Sequence, residues 1–170
     1  MRSRDPRELL RLPFVERIAI VAWVEMRLYD VLGRLVDVRI LPNLITNVGL
    51  AQVAGLINGV VTTPFKYVAV GNGSATSPGT CTAPSPTDTA LGREVMRVQA
   101  TVGRTTTSVT NDTATLDATF NFTSSYALCE AGIFDAPTGG NMLSRLTFPV
   151  LNVVSRDTLE IKWRIRVVRV

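Results

Sequence analysis

Toward the end of the chain, apolar and charged residues alternate without interruption. Leu159, Ile161, Trp163, Ile165 and Val167 interleave with Glu160, Lys162, Arg164 and Arg166. Successive side chains of a strand point to opposite faces, so this run buries one wall and wets the other. Upstream lie a second apolar run, Ala127 to Asp135, and a third, Met142 to Phe148, separated by the turn cluster Pro137-Thr138-Gly139-Gly140. The three runs predict consecutive antiparallel strands, a framework on which the other strands pair. Before them, Ala114, Leu116, Ala118, Phe120 and Phe122 alternate with Thr115, Asp117, Thr119 and Asn121, another half-wet strand. Glu94 to Val102 and Phe65 to Val70 read as further strands, the second short and buried.

The N-terminal half adds a hairpin and a helix. Ile18, Ile20, Ala22, Val24, Met26 and Leu28 share one face of a strand, and Trp23, Glu25, Arg27 and Tyr29 the other. A turn at Asp30-Val31-Leu32-Gly33 leads into Arg34 to Ile40, predicted with Val36, Val38 and Ile40 inward. Leu50, Val53, Ala54 and Ile57 then have the spacing of a helical stripe, predicted to pack on a sheet. Asn43 or Thr46 can cap that helix and Asn58-Gly59 can end it. Asp5-Pro6-Arg7-Glu8 has the residues of a helix start, and Pro13 ends that short helix. Residues 1–14 therefore read as a short helical arm that needs a neighbour, and residues 15–170 as a single β-rich domain.

Seven to nine strands with one covering helix predict a mainly β fold, an antiparallel β-sandwich or a jelly-roll-like barrel. The edges of such a sheet need covering, and assembly with other copies is one way to do it. At 170 residues the chain has the size of one domain with a real core. Aromatic residues are only 6%, so that core must be mainly Val, Leu, Ile and Ala.

The net charge of +4 is dispersed, but Arg2, Arg4, Arg7 and Arg11, with Leu9 and Leu10 among them, make the arm basic and apolar. Such an arm suits a protein partner; no basic block interleaved with aromatics follows it, which argues against nucleic acid. Residues 40–65 carry no charge, yet Asn43, Asn47, Gln52, Asn58 and Pro64 interrupt them, so no membrane span is expected. The charged N-terminus is not the pattern of a secretory leader.

Candidate chemistry is sparse. The absence of histidine removes the Ser-His-Asp and Cys-His arrangements. With two cysteines, Cys81 in a polar loop and Cys129 in an apolar strand, a structural zinc site is not expected. The pair can form one bridge, or Cys129 can be a free buried thiol. Gly71-Asn72-Gly73 lacks the spacing of a phosphate loop and reads as a tight turn. Glu130 in its apolar run, with Asp135 nearby, is the one candidate carboxylate pair. Their odd separation sets them on opposite faces, and Glu130 is better read as held by an arginine such as Arg145 or by backbone donors. Trp23 and Tyr29 are candidate stacking platforms for a glycan, whereas Trp163 reads as core. No catalytic residue, cofactor or metal is expected.

Four stretches together carry a resemblance: Asn43-Leu-Ile-Thr-Asn47-Val-Gly49 before the helix; Tyr67-Val-Ala-Val-Gly71-Asn-Gly73 with Asp88 to Glu94; Glu130 to Asp135 with Gly139 to Phe148; and the closing strand through Trp163. In order and spacing the chain resembles small virion proteins of tailed bacteriophages, of the tail-fibre-like or accessory structural kind, over residues 43–167. The resemblance implies a non-enzymatic structural subunit on the particle exterior, partnered by copies of itself, with a trimer favoured, and by other virion proteins such as the major capsid protein. A fibre protein needs a shaft or receptor-binding segment after its attachment domain. None is read after the last strand, so a capsid-decorating accessory subunit is expected, with a tail-fibre or baseplate adaptor as one alternative and a carbohydrate-binding module, using Trp23 and Tyr29, as the other.

Overall fold

A computed structural model describes residues 17–170. The predicted arm, with Arg2, Arg4, Arg7, Leu9, Leu10 and Arg11, lies outside the described residues. The described chain folds into two five-stranded sheets, each antiparallel throughout, with one helix. The first sheet has the order β2 (Leu35–Pro42), β1 (Ile18–Tyr29), β10 (Thr158–Arg169), β7 (Thr113–Asn121), β6 (Thr101–Thr105). The second runs β3 (Leu44–Ile45), β9 (Met142–Val153), β8 (Tyr126–Phe134), β4 (Tyr67–Gly71), β5 (Glu94–Gln99). The arrangement is consistent with a β-sandwich.

The alternation of β10 does what it predicts. On the inner face Trp163 sits between Val24 of β1 and Leu116 of β7, Ile161 between Met26 and Ala118, and Leu159 between Leu28 and Phe120. All of these side chains are buried in one core with Val68, Val70, Leu128, Ile133, Leu146 and Phe148 of the opposite sheet. The second sheet is buried on its outer face too, where Ala69, Phe134 and Met142 pack with Leu91. That double burial explains why β8 reads as a continuous apolar run rather than an alternating one.

The same difference corrects the predicted framework. The three C-terminal strands are not consecutive in one sheet: β8 pairs with β9, but β10 crosses to the other layer and pairs with β1 and β7. A strand wet on one face belongs to a sheet with a solvent side, and a strand apolar on both belongs under a cover. The crossing is made at a turn where Val154 N–H donates to Asp157 and Arg156 takes the left-handed conformation. The predicted strand Glu94 to Val102 likewise divides at buried Ala100 into β5 of one sheet and β6 of the other. Ala100 N–H donates to the Lys66 carbonyl at this corner. At the opposite edge β2 runs into β3 across Asn43. With its amide oriented to suit its neighbours, Asn43 donates to the Ala22 carbonyl and accepts from Trp163 Nε1, joining the layers.

Two elements occupy their predicted positions with the opposite phase. The hairpin turn forms as expected, with Leu32 and Arg34 N–H donating to Asp30. In β2, however, Val36, Val38 and Ile40 point outward and are 54%, 49% and 71% exposed. Pairing with β1 sets Asp37, Arg39 and Leu41 beside the buried Leu28, Met26 and Val24. Arg39 ion-pairs with Asp37 at 2.8 Å, donates to the Pro149 carbonyl of β9 and lies over the Phe148 ring, closing the edge of the core.

The helix, α1 (Asn47–Asn58), is capped by Thr46, whose hydroxyl accepts from Gly49 N–H, and ends at left-handed Gly59. Of its predicted stripe only Val53 packs on the core; Ala54 is exposed, and Leu50 and Ile57 are 51% and 83% exposed. The buried face is one residue earlier, Gly49 and Gln52, with half-buried Val53 and Leu56. A Cβ on Gly49 would stand 2.5 Å from the Leu143 carbonyl oxygen, so glycine lets the helix lie directly on β9. Gln52 donates to the Thr63 carbonyl and to Asp135 and accepts from Asn141, three bonds that fix the rotation.

Candidate functional site

The outer face of the second sheet is crossed by the long polar loop, residues 72–93, and the centre of that crossing is Glu130. A bulge between Leu128 and Glu130 interrupts the alternation of β8. Leu128, Ala131 and Ile133 can then all face the core while Glu130 meets the loop. The side chain of Glu130 is fully buried. It accepts from Gly73, Gly92 and Arg93 N–H at 3.1, 3.0 and 3.0 Å, and from Arg145 Nε and Nη2 at 3.1 and 2.7 Å. Arg145 extends the network to Asp88 at 2.8 Å. Although burial alone lowers the Arg145 value, its bonds to Asp88 and Glu130 raise it above the ordinary guanidinium range. Asp88 is held below the usual carboxylate range; burial opposes this, and the Ser85 N–H with the Arg145 guanidinium outweighs it.

The arginine expected for Glu130 is therefore Arg145, and the backbone donors are present as well. A carboxylate has about four lone-pair directions, and those of Glu130 are all engaged within the protein. Asp135 belongs to a different set of bonds, accepting from Asn141 N–H and Gln52. Sequence reasoning missed Asp88 and the amides of Gly73, Gly92 and Arg93. The signal was available in Gly71-Asn72-Gly73: left-handed Gly73 has no room for a Cβ beside the Thr80 carbonyl, and its N–H serves the buried carboxylate.

The loop has a second anchor. Cys81 and Cys129 are joined by a disulfide, with Cα atoms 5.9 Å apart. The bridge settles the alternative left open by the sequence, because the Leu128/Glu130 bulge turns Cys129 toward the loop as well. Beside it, a shallow open depression is lined by Gly79, Thr147, Phe148 and Val150 and carries no ionisable group. Among the described residues, no group of three or more Cys, Asp or Glu is placed to hold a metal ion.

The solvent face of the first sheet is the other candidate. Trp23 and Tyr29 share the outer face of β1, as predicted, and both are half-buried. Six residue steps of strand separate them, about 20 Å, and the ion pair of Glu25 and Arg27 lies between. They form two separate surfaces rather than one platform. Tyr29 Oη lies 3.4 Å from Glu160. Toward the edge, Val38 and Ile40 stand opposite Arg27 and Glu25, and Ile18 and Val21 are 77% and 49% exposed at the other end of β1. The exposed helix face, Leu50 and Ile57 with Val60 beyond it, is a second apolar surface.

What the chain is, as a class, rests on this fold: an antiparallel two-sheet protein whose sheets are joined at their edges and whose outer loop is pinned by a buried ion network and a disulfide. No family model, no curated protein and no solved structure matches the chain at a significant level. No helix among the described residues is long and apolar enough to cross a membrane.

Proposed function

We propose that this protein is a non-enzymatic structural subunit of a tailed-phage particle, one that binds copies of itself and other virion proteins on the particle exterior. The observation that carries the reading is where the apolar surface lies. Large apolar side chains remain in the open along β1 and β2, on α1 and just past its end, Ile18, Ile40, Ile57 and Val60 among them, each at least 71% exposed. Val36, Val38 and Ile40 stand in a row on one face of β2, and contiguous exposure of that kind marks surfaces that meet other proteins. The disulfide suits a protein facing an oxidising exterior.

Within this reading the basic, leucine-containing residues 1–13 clasp a neighbouring subunit, the major capsid protein being the partner for a decorating role. Deleting residues 1–13 should lower occupancy on the virion while the domain keeps its melting temperature; unchanged occupancy removes the arm from the proposal. Imaging of intact particles with the subunit labelled tests the whole reading. Label on the head supports decoration, label on the tail supports the fibre or baseplate adaptor, and unlabelled particles overturn both.

A further inference from the structure

We infer that two copies of this chain associate through the free edge of β2, joining their first sheets across a two-fold axis at Val38. The inference does not depend on the virion reading. Among the described residues strand β2 pairs only with β1, and its other edge carries no strand along Leu35–Pro42. An open edge presents unpaired N–H and C=O groups to any strand that fits.

The sequence of the edge fits itself. Opposed residues in an antiparallel pair lie on the same face. A two-fold axis that makes one continuous sheet must therefore pass through a residue, so that partners have the same parity. With the axis at Val38, Val36 meets Ile40, Asp37 meets Arg39, Leu35 meets Leu41, and Val38 meets its own copy. From Leu35 to Leu41 every apolar residue opposes an apolar one and each charge opposes its complement. The exposed Val36, Val38 and Ile40 become one apolar stripe across the axis. On the inner side, the Asp37–Arg39 pair of each copy, half-buried at the sheet edge, gains an opposite pair from the other. The same charges repel an unrelated strand, so the edge selects while it binds.

The edges of β6 and β5 lack this symmetry, and β3, the remaining edge, is two residues long. In β6, an axis at Gly103 sets Val102 against Arg104. In β5, an axis at Met96 sets Val95 against Arg97, and an axis at Arg97 sets that charge against its own copy. Joining β2 to either of those edges is a head-to-tail contact, which closes only as a ring or continues as a filament. A contact at Val38 closes with two copies.

Light scattering on the full chain should give twice the monomer mass of 18.5 kDa. Val38→Lys, at an exposed position, should bring it to the monomer mass with an unchanged circular dichroism spectrum. Register is read by cross-linking under mild oxidation: Val38→Cys should form a covalent dimer, and Val36→Cys, which opposes Ile40, should not. Val36→Cys combined with Ile40→Cys should restore the cross-link. A wild-type monomer at every concentration, a trimer, or equal cross-linking of Val36→Cys and Val38→Cys overturns the inference.

Discussion

Glu130 is the residue on which the outer layer depends. A buried carboxylate is costly unless its charge is matched and its lone pairs are filled, and here three loop amides and one guanidinium do both. Glu130→Gln removes the charge facing Arg145 and turns an NH2 group toward backbone donors. We expect a loss of roughly 3–5 kcal/mol in urea unfolding, the range for breaking a buried pair from one side. Asp88→Asn, at the more exposed end of the network, should cost much less; equal losses would mean that burial does not set the effect. Acid tests a different residue. Asp112 accepts from Thr107, Ser108 and Val109 N–H and from Thr113, and pairs with Arg166. Desolvation opposes ionisation there, yet those donors hold its carboxyl far below the usual range. A depressed folded value contributes stability above the unfolded carboxylate value, about 3.9, and loses it as pH falls toward the folded one. Melting temperature should therefore fall below about pH 4, and Asp112→Asn should flatten that fall.

At the scale of elements, the helix offers the sharpest contrast. Gly49→Ala places a methyl group against the Leu143 backbone, which cannot rotate away. It should destabilise by about 1–3 kcal/mol, as overpacking does. Leu50→Ala, on the open face, should stay within about 0.5 kcal/mol. The predicted stripe would give the reverse order in thermal melts, so the pair of variants decides the rotation of α1. This error and that in β2 share a cause. Strand alternation tells which residues share a face, but which face is inward depends on the partner strand. In β2 both sets contain apolar residues, and Arg39, whose charge assigns it to the wet side, instead caps the core edge through its guanidinium. In α1 the helix is uncharged all round, so residues 49, 52, 53 and 56 satisfy the same spacing as 50, 53, 54 and 57. The signal that decides is a glycine where the backbone approaches and a glutamine with three partners, and neither counts as apolar. β7, β8 and β10 were legible because one face of each strand was unambiguous or both were apolar. The Glu130–Arg145 pair was legible because a buried charge needs a partner. Asp88 was not, since the loop that carries it has no period.

At the scale of the molecule, the two layers are joined by continuous strands at both edges, and the third layer is loop. Such a body should unfold as one unit, because neither sheet can open without pulling β2 from β3 or β5 from β6. The loop is the separable part, and it has two unlike anchors: the Glu130 network within the native state, and the disulfide, which also restricts the unfolded chain. Cys81 and Cys129 enclose a separation of 48 residues, for which the chain-entropy account gives roughly 4 kcal/mol. Replacing both cysteines by serine should lower stability by about 2–4 kcal/mol and leave a single cooperative transition. Amide exchange then distinguishes the anchors. If Glu130 holds its end independently, Gly73, Gly92 and Arg93 remain protected in the serine variant while Thr80 and its neighbours exchange faster. If protection at Gly92 and Arg93 is lost along with that at Thr80, the two anchors act as one, and the disulfide rather than the buried carboxylate keeps the outer layer in place.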